Sequence, residues 1–300
     1  MNHVVAVDVG GTEIKSALVD CDFNVIATIN APTPKADVTG TQTVKAIAEL
    51  VAQFSKQQTV NAIGLAVPGA LDEPAGISRW SGNLQWNNLP IQKLLADAIN
   101  IPVAFGHDVR TAAVAEMRNG AAKSARNAIF IPVGTGIAAA LIIDGQIRSA
   151  EGFAGEIGHV NVNGKYPCVC GKTGCLEAAS STLAMSKAYE GLSGNASVTT
   201  EEIYKLVTAG DPVAQQVWDD ATSAMARACE MLITILAPEI IVFGGGLSNA
   251  GETFLKPIRD YLDSSLTFQR KPKLKIAHYK SKAGTIGCAM LAFDLLKVGK

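Results

Sequence analysis

The stretch VGGTEIKSALVD, residues 9–20, has a second copy later in the chain, VGTGIAAALIID, residues 133–144. The two copies align without a gap, and each consists of a strand end, a glycine turn, a second strand and an aspartate. Two strands joined by a glycine turn are typical of a β-hairpin. The repeat therefore predicts a duplicated core, although such hairpins are common enough for two to arise by chance.

Strands and helices alternate between and after the two copies. Further strands are predicted at 4–8, 23–29, 62–67, 102–105, 240–243 and 274–277. Helices are predicted at 41–55, 91–99, 109–118, 183–190, 200–209, 213–236, 253–266 and 283–296. This alternation predicts an α/β fold with largely parallel sheets and an antiparallel hairpin at the edge. A chain of 300 residues is long enough for two lobes.

A group of possible metal ligands follows the second copy. The stretches EIGH (156–159) and CVCGKTGCLE (168–177) place three cysteines within eight residues, downstream of a histidine. Four nitrogen and sulfur ligands of this kind are what a closed, structural zinc site needs; they are His159, Cys168, Cys170 and Cys175. Glu156 and Glu177 flank the ligands, so a metal-held loop would present two carboxylates to a hydroxyl-rich small molecule. The alternatives are a zinc loop that only staples the chain and a disulfide.

Three glycine turns each follow a predicted strand directly. They are DVGGT (8–12), GTG (134–136) and GGGL (244–247), and are called the first, second and third glycine loops. Glycine turns expose backbone N–H groups that a phosphate can approach without side-chain obstruction. A single turn is a weak sign, but three at strand ends predict nucleotide binding. None of them has the Walker or the dinucleotide pattern.

The stretch FGHD, residues 105–108, ends a predicted strand and opens a helix. An aspartate at this point is a good N-cap, which stabilises a helix by about 1 kcal/mol. A carboxylate at a strand end also suits phosphoryl transfer, which needs a group that orients the attacking hydroxyl and accepts its proton. The two roles of Asp108 are compatible.

The EIGH and CVCGKTGCLE stretches resemble the signature of the ROK family of bacterial sugar kinases and related repressors. The glycine loops resemble those of the actin-like ATPase superfamily, and the resemblance covers essentially the whole chain. It implies an α/β, two-lobed actin-like ATPase (ribonuclease H-like) fold with a duplicated core. Residues 1–118 plus 284–300 would form the first lobe and residues 119–283 the larger second lobe, with an active-site cleft between them.

The resemblance also implies roles for individual residues. Asp108 would be the catalytic base, and Asp8 would organise Mg2+ through water. ATP would be bound by the glycine loops, through Asp8, Gly10, Gly11, Thr12, Gly134, Thr135, Gly136, Gly244, Gly245 and Gly246. The hexose would be bound by Gly69, Asn83, His107, Asp108, Glu156, His159 and Glu177. Gly69 and Asn83 are equally well explained as strand-end and turn residues.

Two positions depart from the family pattern. Glu13 stands where many relatives have a lysine, which leaves the charge at the first glycine loop open. His107 stands where the family usually has an asparagine that contacts the sugar, which leaves the identity of the sugar open. Trp80 and Trp86 are expected to pack a long loop rather than to stack on the sugar.

The function implied is an ATP-dependent hexokinase with structural Zn2+ and with Mg2+ bound to ATP, acting on the 6-hydroxyl of glucose. N-acetylmannosamine, N-acetylglucosamine, fructose and mannose are alternative acceptors, and polyphosphate is an alternative donor. A sugar-sensing repressor would carry a helix-turn-helix domain before the first glycine loop, where only seven residues precede Asp8. A sugar-binding protein without catalysis is disfavoured because Asp108 and all three loops are present.

Composition and charge exclude several other classes. The chain has 26 basic and 27 acidic residues, and the only dense basic run is 270–275, so nucleic acid is a poor candidate partner. The N-terminus has neither the charged nor the apolar segment of an export signal, and no apolar run reaches the roughly 18 residues of a membrane span. A cytoplasmic protein is expected, and the resemblance implies a homodimer or homotetramer.

Overall fold

The computed structural model describes residues 2–298, so residues 1, 299 and 300 of the predicted first lobe lie outside the described residues. The chain forms two compact units. Unit 1 comprises the described residues of Met1–Glu116, Ser149–Phe153 and Lys282–Lys300, and unit 2 comprises Met117–Arg148 and Ala154–Ser281. Ser149–Phe153 belongs to unit 1, whereas the predicted boundaries placed this segment in the second lobe.

Strands and helices are numbered in chain order. The strands are β1 (His3–Val9), β2 (Glu13–Val19), β3 (Val25–Pro32), β4 (Val60–Val67), β5 (Ala70–Asp72), β6 (Ile77–Ser81), β7 (Trp86–Leu89), β8 (Val103–His107), β9 (Ala128–Pro132), β10 (Ala140–Ile143), β11 (Gln146–Arg148), β12 (Ile240–Gly244) and β13 (Lys273–Ile276). The helices are α1 (Thr41–Ser55), α2 (Ile91–Ile99), α3 (Asp108–Asn119), α4 (Leu176–Ser180), α5 (Thr182–Ser193), α6 (Thr200–Thr208), α7 (Pro212–Leu236), α8 (Glu252–Ser265) and α9 (Ala283–Val298).

Each unit contains a five-stranded sheet, and the two sheets have equivalent strand orders. The order is β3-β2-β1-β4-β8 in unit 1 and β11-β10-β9-β12-β13 in unit 2. In both sheets the first three strands are paired antiparallel, and the remaining pairings are parallel. The duplicated core predicted from the repeat is therefore present.

The second copy departs from the first where its second strand should begin. Glu13 starts β2, but its aligned partner Ile137 precedes the start of β10 by three residues. The Ile137 N–H donates to the Glu177 carboxylate at 2.8 Å, and the Ala139 N–H donates to the Gly155 carbonyl at 2.7 Å. Because these two N–H groups bond to residues outside the hairpin, regular strand pairing begins only at Ala140, the first residue of β10.

The sheet of unit 1 is covered on both faces. Successive side chains of a strand point to opposite faces, so Val5 and Val7 of β1 join the core that contains residues of α1 and α2. Val4 and Ala6 join the core that contains residues of α9. The approach of α9 is close, since a Cβ at Gly64 of β4 would lie 1.8 Å from the Cys288 carbonyl oxygen. Glycine at this position is therefore required by packing.

The core of unit 2 is built on β9, β12 and the long helix α7. Ile129 of β9 and Phe243 of β12 are buried in one cluster with Trp218 and Met225 of α7. The helix begins where Asp211 accepts a hydrogen bond from the Ala214 N–H at 2.7 Å, with a proline in the first turn. Both features are common at helix starts.

Several predicted elements are confirmed and others were missed. Helices α1 and α2 have the predicted bounds. The predicted long loop after β4 contains the three-stranded sheet β5-β6-β7, whose strands of three to five residues are too short for a clear hydrophobic period. No helix within residues 2–298 combines the length and the apolar character that crossing a membrane requires.

Candidate functional site

The parallel strands of unit 1 bring predicted site residues to one edge of the sheet. β1, β4 and β8 run parallel, so their carboxyl ends lie together. Asp8 and the first glycine loop lie at the end of β1, Gly69 follows β4, and His107 ends β8. Asp108 is the first residue of α3. The structure thus places the predicted base of unit 1 at the same edge as its glycine loop.

Asn83 and Gly69 lie close to neighbouring backbone in this region. A Cβ at Gly11 would lie 3.3 Å from the Cβ of Asn83, so the Asn83 side chain packs on the first glycine loop. Gly69 has φ of +110°, and a Cβ there would lie 2.2 Å from the Trp80 carbonyl oxygen. The positive φ and the close Trp80 carbonyl therefore require glycine at position 69, whether or not this residue also contacts a sugar.

The two tryptophans of this region, Trp80 and Trp86, differ in how far they are exposed to solvent. Trp86 is 1% exposed, and its indole N–H donates to the Asp37 carbonyl at 2.9 Å. The prediction that it packs the loop is confirmed. Trp80 is 63% exposed, and its ring lies over Gly82.

Asp8 lies against the start of the last helix. A Cβ at Gly284, the second residue of α9, would lie 2.6 Å from Asp8 Oδ2. Burial raises the pKa of the Asp8 carboxyl above its ordinary value, and the nearby charge of Lys15 opposes that shift. The N-terminus of a helix also favours a negative charge. No sequence motif marks Gly284, since its contact with Asp8 joins the two ends of the chain.

His107 and Asp108 share one backbone donor. The Val109 N–H lies 2.7 Å from Asp108 Oδ1 and 3.2 Å from His107 Nδ1. Because α3 begins at Asp108, the N-cap position is His107, and the prediction of Asp108 as the N-cap is corrected. The helix starts one residue earlier than predicted, and the Asp108 carboxylate accepts from the N–H of the next residue, Val109.

The imidazole of His107 is neutral. Burial, followed by the nearby charge of Arg110, lowers the pKa of His107 to about 3. Its Nδ1 lies 3.1 Å from Asp108 Oδ1. With Nδ1 accepting from the Val109 N–H, the neutral ring carries its proton on Nε2, which can donate a hydrogen bond.

Glu73 and Arg110, which the sequence analysis did not single out, hold this turn. Glu73 Oε1 accepts from the His107 backbone N–H and from Arg110 Nε, each at 3.0 Å. Arg110 is 5% exposed, so loss of Glu73 would leave the Arg110 guanidinium as a poorly solvated charge. The pair ties the residue after β5 to the start of α3. It can therefore position Asp108 indirectly.

The second and third glycine loops are neighbours in unit 2. The Val133 N–H donates to the Gly244 carbonyl at 2.9 Å. Gly245 has φ of +75°, and a Cβ there would lie 2.3 Å from the Val133 carbonyl oxygen. A Cβ at Gly246 would meet nothing within 4 Å. The loops thus have a backbone surface that a ligand can approach.

A cavity of about 700 Å3 adjoins these two loops. Its volume lies in the usual range for small-molecule sites. Apolar and aromatic side chains line it together with hydroxyl, amide and charged groups, among them Leu247, Tyr204, Trp218, Ser186, Asn249 and Lys205. This lining suits a nucleoside, which has an apolar base and a polar sugar.

The four predicted metal ligands come together. One ligand atom from each of His159, Cys168, Cys170 and Cys175 lies within 4.8 Å of the others. The Cys170 and Cys175 sulfurs are 3.6 Å apart, as are the Cys168 sulfur and His159 Nδ1. Tetrahedral zinc with bonds of about 2.3 Å would hold its sulfurs about 3.8 Å apart. The cluster therefore fits Zn2+, and all its cysteines are free rather than disulfide-bonded.

Glu177 connects this cluster to the second glycine loop. It lies in the first turn of α4, two residues after Cys175. Its carboxylate accepts the Ile137 N–H at 2.8 Å, and a Cβ at Gly136 would lie 2.9 Å from its Oε2. Glu156, in contrast, is exposed at the start of the turn that contains His159. The two flanking carboxylates thus differ in their surroundings.

The family model of the ROK family matches residues 4–294. The chain belongs to the ROK family. A solved ROK glucokinase from Streptomyces griseus, in complex with glucose and AMPPNP, matches the structure with a TM-score of 0.84 at 28% identity, over 98% of this chain and 100% of that chain. The predicted actin-like ATPase fold is therefore confirmed.

Curated relatives include kinases for different sugars. A glucokinase from Halalkalibacterium halodurans is 32% identical, over 94% of this chain and 92% of its own length. An N-acetylmannosamine kinase from Citrobacter koseri is 28% identical, over 96% of this chain and 98% of its own length. Similarity to this ROK chain thus extends over both kinases almost completely.

The depressed pKa of His107 predicts a pH-dependent loss of stability. Between its ordinary pKa of 6.5 and about 3, the unfolded chain binds a proton that the folded chain does not, so the free energy of unfolding falls as the pH falls. Relative to His107→Asn, the wild type should lose roughly 1 kcal/mol per pH unit below about pH 6. Urea unfolding of both proteins at pH 7, 6 and 5 measures this, and parallel pH profiles would contradict it.

The metal cluster predicts about one zinc per chain. Protein purified without chelator should contain this zinc by elemental analysis. Cys170→Ser should lose the metal and, because the loop holds Glu156 and Glu177, should weaken hexose binding. The matched control is Cys21→Ser, which replaces another exposed cysteine and should keep both properties. If metal-free protein bound hexose with unchanged affinity, the metal would not be what positions Glu156 and Glu177 for hexose binding.

Proposed function

We propose that this ROK protein transfers the γ-phosphoryl group of ATP to a hydroxyl of a hexose, with glucose as the first candidate. The observation that carries the proposal is the position of Asp108. Its carboxylate lies at the carboxyl end of β8, at the same sheet edge as the first glycine loop. Phosphoryl transfer requires positioning and one carboxylate to accept the hydroxyl proton.

Residues of unit 1 would orient the attacking hydroxyl. In this proposal Asp108 accepts its proton, and the neutral His107 donates its Nε2–H to the oxygen of a neighbouring hydroxyl. Glu73 and Arg110 keep the turn that carries both residues in place. Asn83 binds the hexose beside the first glycine loop, on which its side chain packs.

Residues of unit 2 would bind the donor and contribute to acceptor binding. The cavity beside the third glycine loop is lined by Tyr204, Trp218 and Leu247, which supports a nucleoside triphosphate rather than polyphosphate as the donor. Mg2+ bound with ATP would neutralise phosphate charge, with Asp8 as its partner through water. Glu156, His159 and Glu177 would bind hexose hydroxyls, with His159 using Nδ1 for the metal.

Glucose is placed first because of two relatives. The H. halodurans relative is named a glucokinase, and the S. griseus structure contains glucose and AMPPNP. The chief alternative is N-acetylmannosamine, since a relative of similar coverage is named for that activity. The relatives also include a protein named as a repressor. Sugar-dependent turnover of ATP would distinguish this chain from such a protein.

The acceptor prediction is tested by ADP release from ATP and Mg2+ over a panel of sugars. Glucose should give the highest kcat/KM, above mannose, fructose, N-acetylglucosamine and N-acetylmannosamine. A preference for N-acetylmannosamine would overturn glucose as acceptor and keep the kinase. Absence of sugar-dependent ADP release across the panel would contradict the proposed function.

The role of Asp108 is tested by Asp108→Asn. Turnover should fall about 10²- to 10⁴-fold, the range for loss of a positioned general base, while hexose binding and folding are kept. Asp97→Asn is a matched control, because Asp97 is an exposed carboxylate of the same unit that pairs with Lys93. Near-normal turnover of Asp108→Asn would exclude Asp108 as the base.

A further inference from the structure

The carbonyl groups of Gly10, Gly11 and Thr12 in the first glycine loop are bound by one short segment. The Thr33 hydroxyl donates to the Gly10 carbonyl at 2.7 Å, and the Thr33 N–H donates to the Thr12 carbonyl at 3.0 Å. Lys35 Nζ donates to the Gly11 carbonyl at 2.7 Å. Thr33 and Lys35 follow β3, and Thr33 is buried. The loop is therefore held from the side of its carbonyl oxygens.

This arrangement leaves backbone donors available. Within residues 2–298 the N–H of Gly10 is bonded to the Glu13 carbonyl, whereas those of Gly11 and Thr12 make no hydrogen bond. Two adjacent unbonded N–H groups on a glycine loop are suited to bind phosphate oxygens. Lys35 lies at the same loop, since its ammonium contacts the carbonyl of Gly11.

The ammonium of Lys35 has donors to spare. It carries three N–H donors, of which the Gly11 carbonyl takes one. In the described part of the chain it forms no ion pair with a carboxylate, and its side chain is exposed. Its charge is therefore not neutralised by an ion pair, and a phosphate at the loop would be an attractive partner.

The charge of Glu13 is directed elsewhere. Glu13 Oε1 accepts from the Asn30 side-chain amide of β3 at 3.3 Å. A carboxylate repels phosphate, so Glu13 cannot serve as the cation of the loop. Lys35 comes from a different segment, and it is the cation that contacts this loop's backbone.

We propose that Lys35 binds the terminal phosphates of the nucleotide donor at the first glycine loop. This inference rests on the proposed kinase function and adds to it a residue that supplies positive charge where phosphate charge is moved during transfer. The ammonium keeps the Gly11 carbonyl as one partner and gives its other donors to phosphate oxygens.

The test is calorimetric titration of the full chain with ATP, ADP and adenosine. Lys35→Met should weaken ATP and ADP binding about 10- to 100-fold, as expected for loss of a hydrogen bond to a charged group, and should leave adenosine binding unchanged. Lys35→Arg should recover most of the affinity because it keeps the charge. Lys45→Met, at an exposed lysine of α1, should bind all three ligands like the wild type.

A charge exchange separates phosphate binding from a role in holding the loop. Glu13→Lys introduced into Lys35→Met should restore ATP affinity, because it returns a cation to the loop from the other side. Lys35→Met with wild-type ATP affinity would overturn the proposal. So would a loss that extends equally to adenosine and is not restored by Glu13→Lys, because Lys35 would then only hold the Gly11 carbonyl.

Failure of the proposed role of Lys35 can be distinguished from failure of the proposed kinase function. A wild-type chain that binds ATP but phosphorylates no sugar contradicts the kinase function, while the ATP titrations still decide the role of Lys35. A wild-type chain that phosphorylates a hexose, with Lys35→Met unchanged in ATP affinity, contradicts Lys35 alone.

Discussion

Parallel hydrogen bonding of β1 with β4, and of β4 with β8, is the constraint on which the site of unit 1 depends. It places the carboxyl ends of three strands at one edge, although the residues that follow them are distant in sequence. In unit 2 the parallel pair β9 and β12 brings the second and third glycine loops together in the same way. One sheet design, used twice, thus produces two edges with exposed backbone.

A carboxylate stabilises the loop in unit 2, and hydroxyl and ammonium groups stabilise the loop in unit 1. Glu177 binds the Ile137 N–H beside the second loop, whereas Thr33 and Lys35 bind the carbonyls of the first. Because Glu177 closely follows Cys175, the conformation of the metal cluster and that of the second loop are linked through α4. The cluster is thus connected to the second glycine loop as well as to the two flanking carboxylates.

Local sequence patterns predicted those features that depend only on residues close together in the sequence. The bounds of α1 and α2, the glycine loops and the spacing of the Cys and His ligands were all visible in the sequence. Contacts between distant segments were not. Glu73 meets Arg110 across 37 positions, and Gly284 reaches Asp8 from the other end of the chain. No periodicity or motif marks such pairs, because they arise only when the sheet has assembled.

The departures from the family pattern have physical explanations that only the structure supplies. His107 is buried beside Arg110 and its pKa is lowered to about 3, so it adds no positive charge at the end of β8 at neutral pH. Glu13 bonds along the β2–β3 pair, and a lysine from another segment contacts the first loop. The sequence alone identified both positions but could not predict which residues of other segments contact them or the first loop.

The central claim is phosphoryl transfer from ATP to a hexose hydroxyl, and phosphorus NMR of one reaction mixture tests it most directly. The wild type with ATP, Mg2+ and glucose should form ADP and a sugar phosphomonoester in equal amounts, with little inorganic phosphate. Formation of ADP with inorganic phosphate, or no change in the ATP signals with any sugar of the panel, would contradict the account.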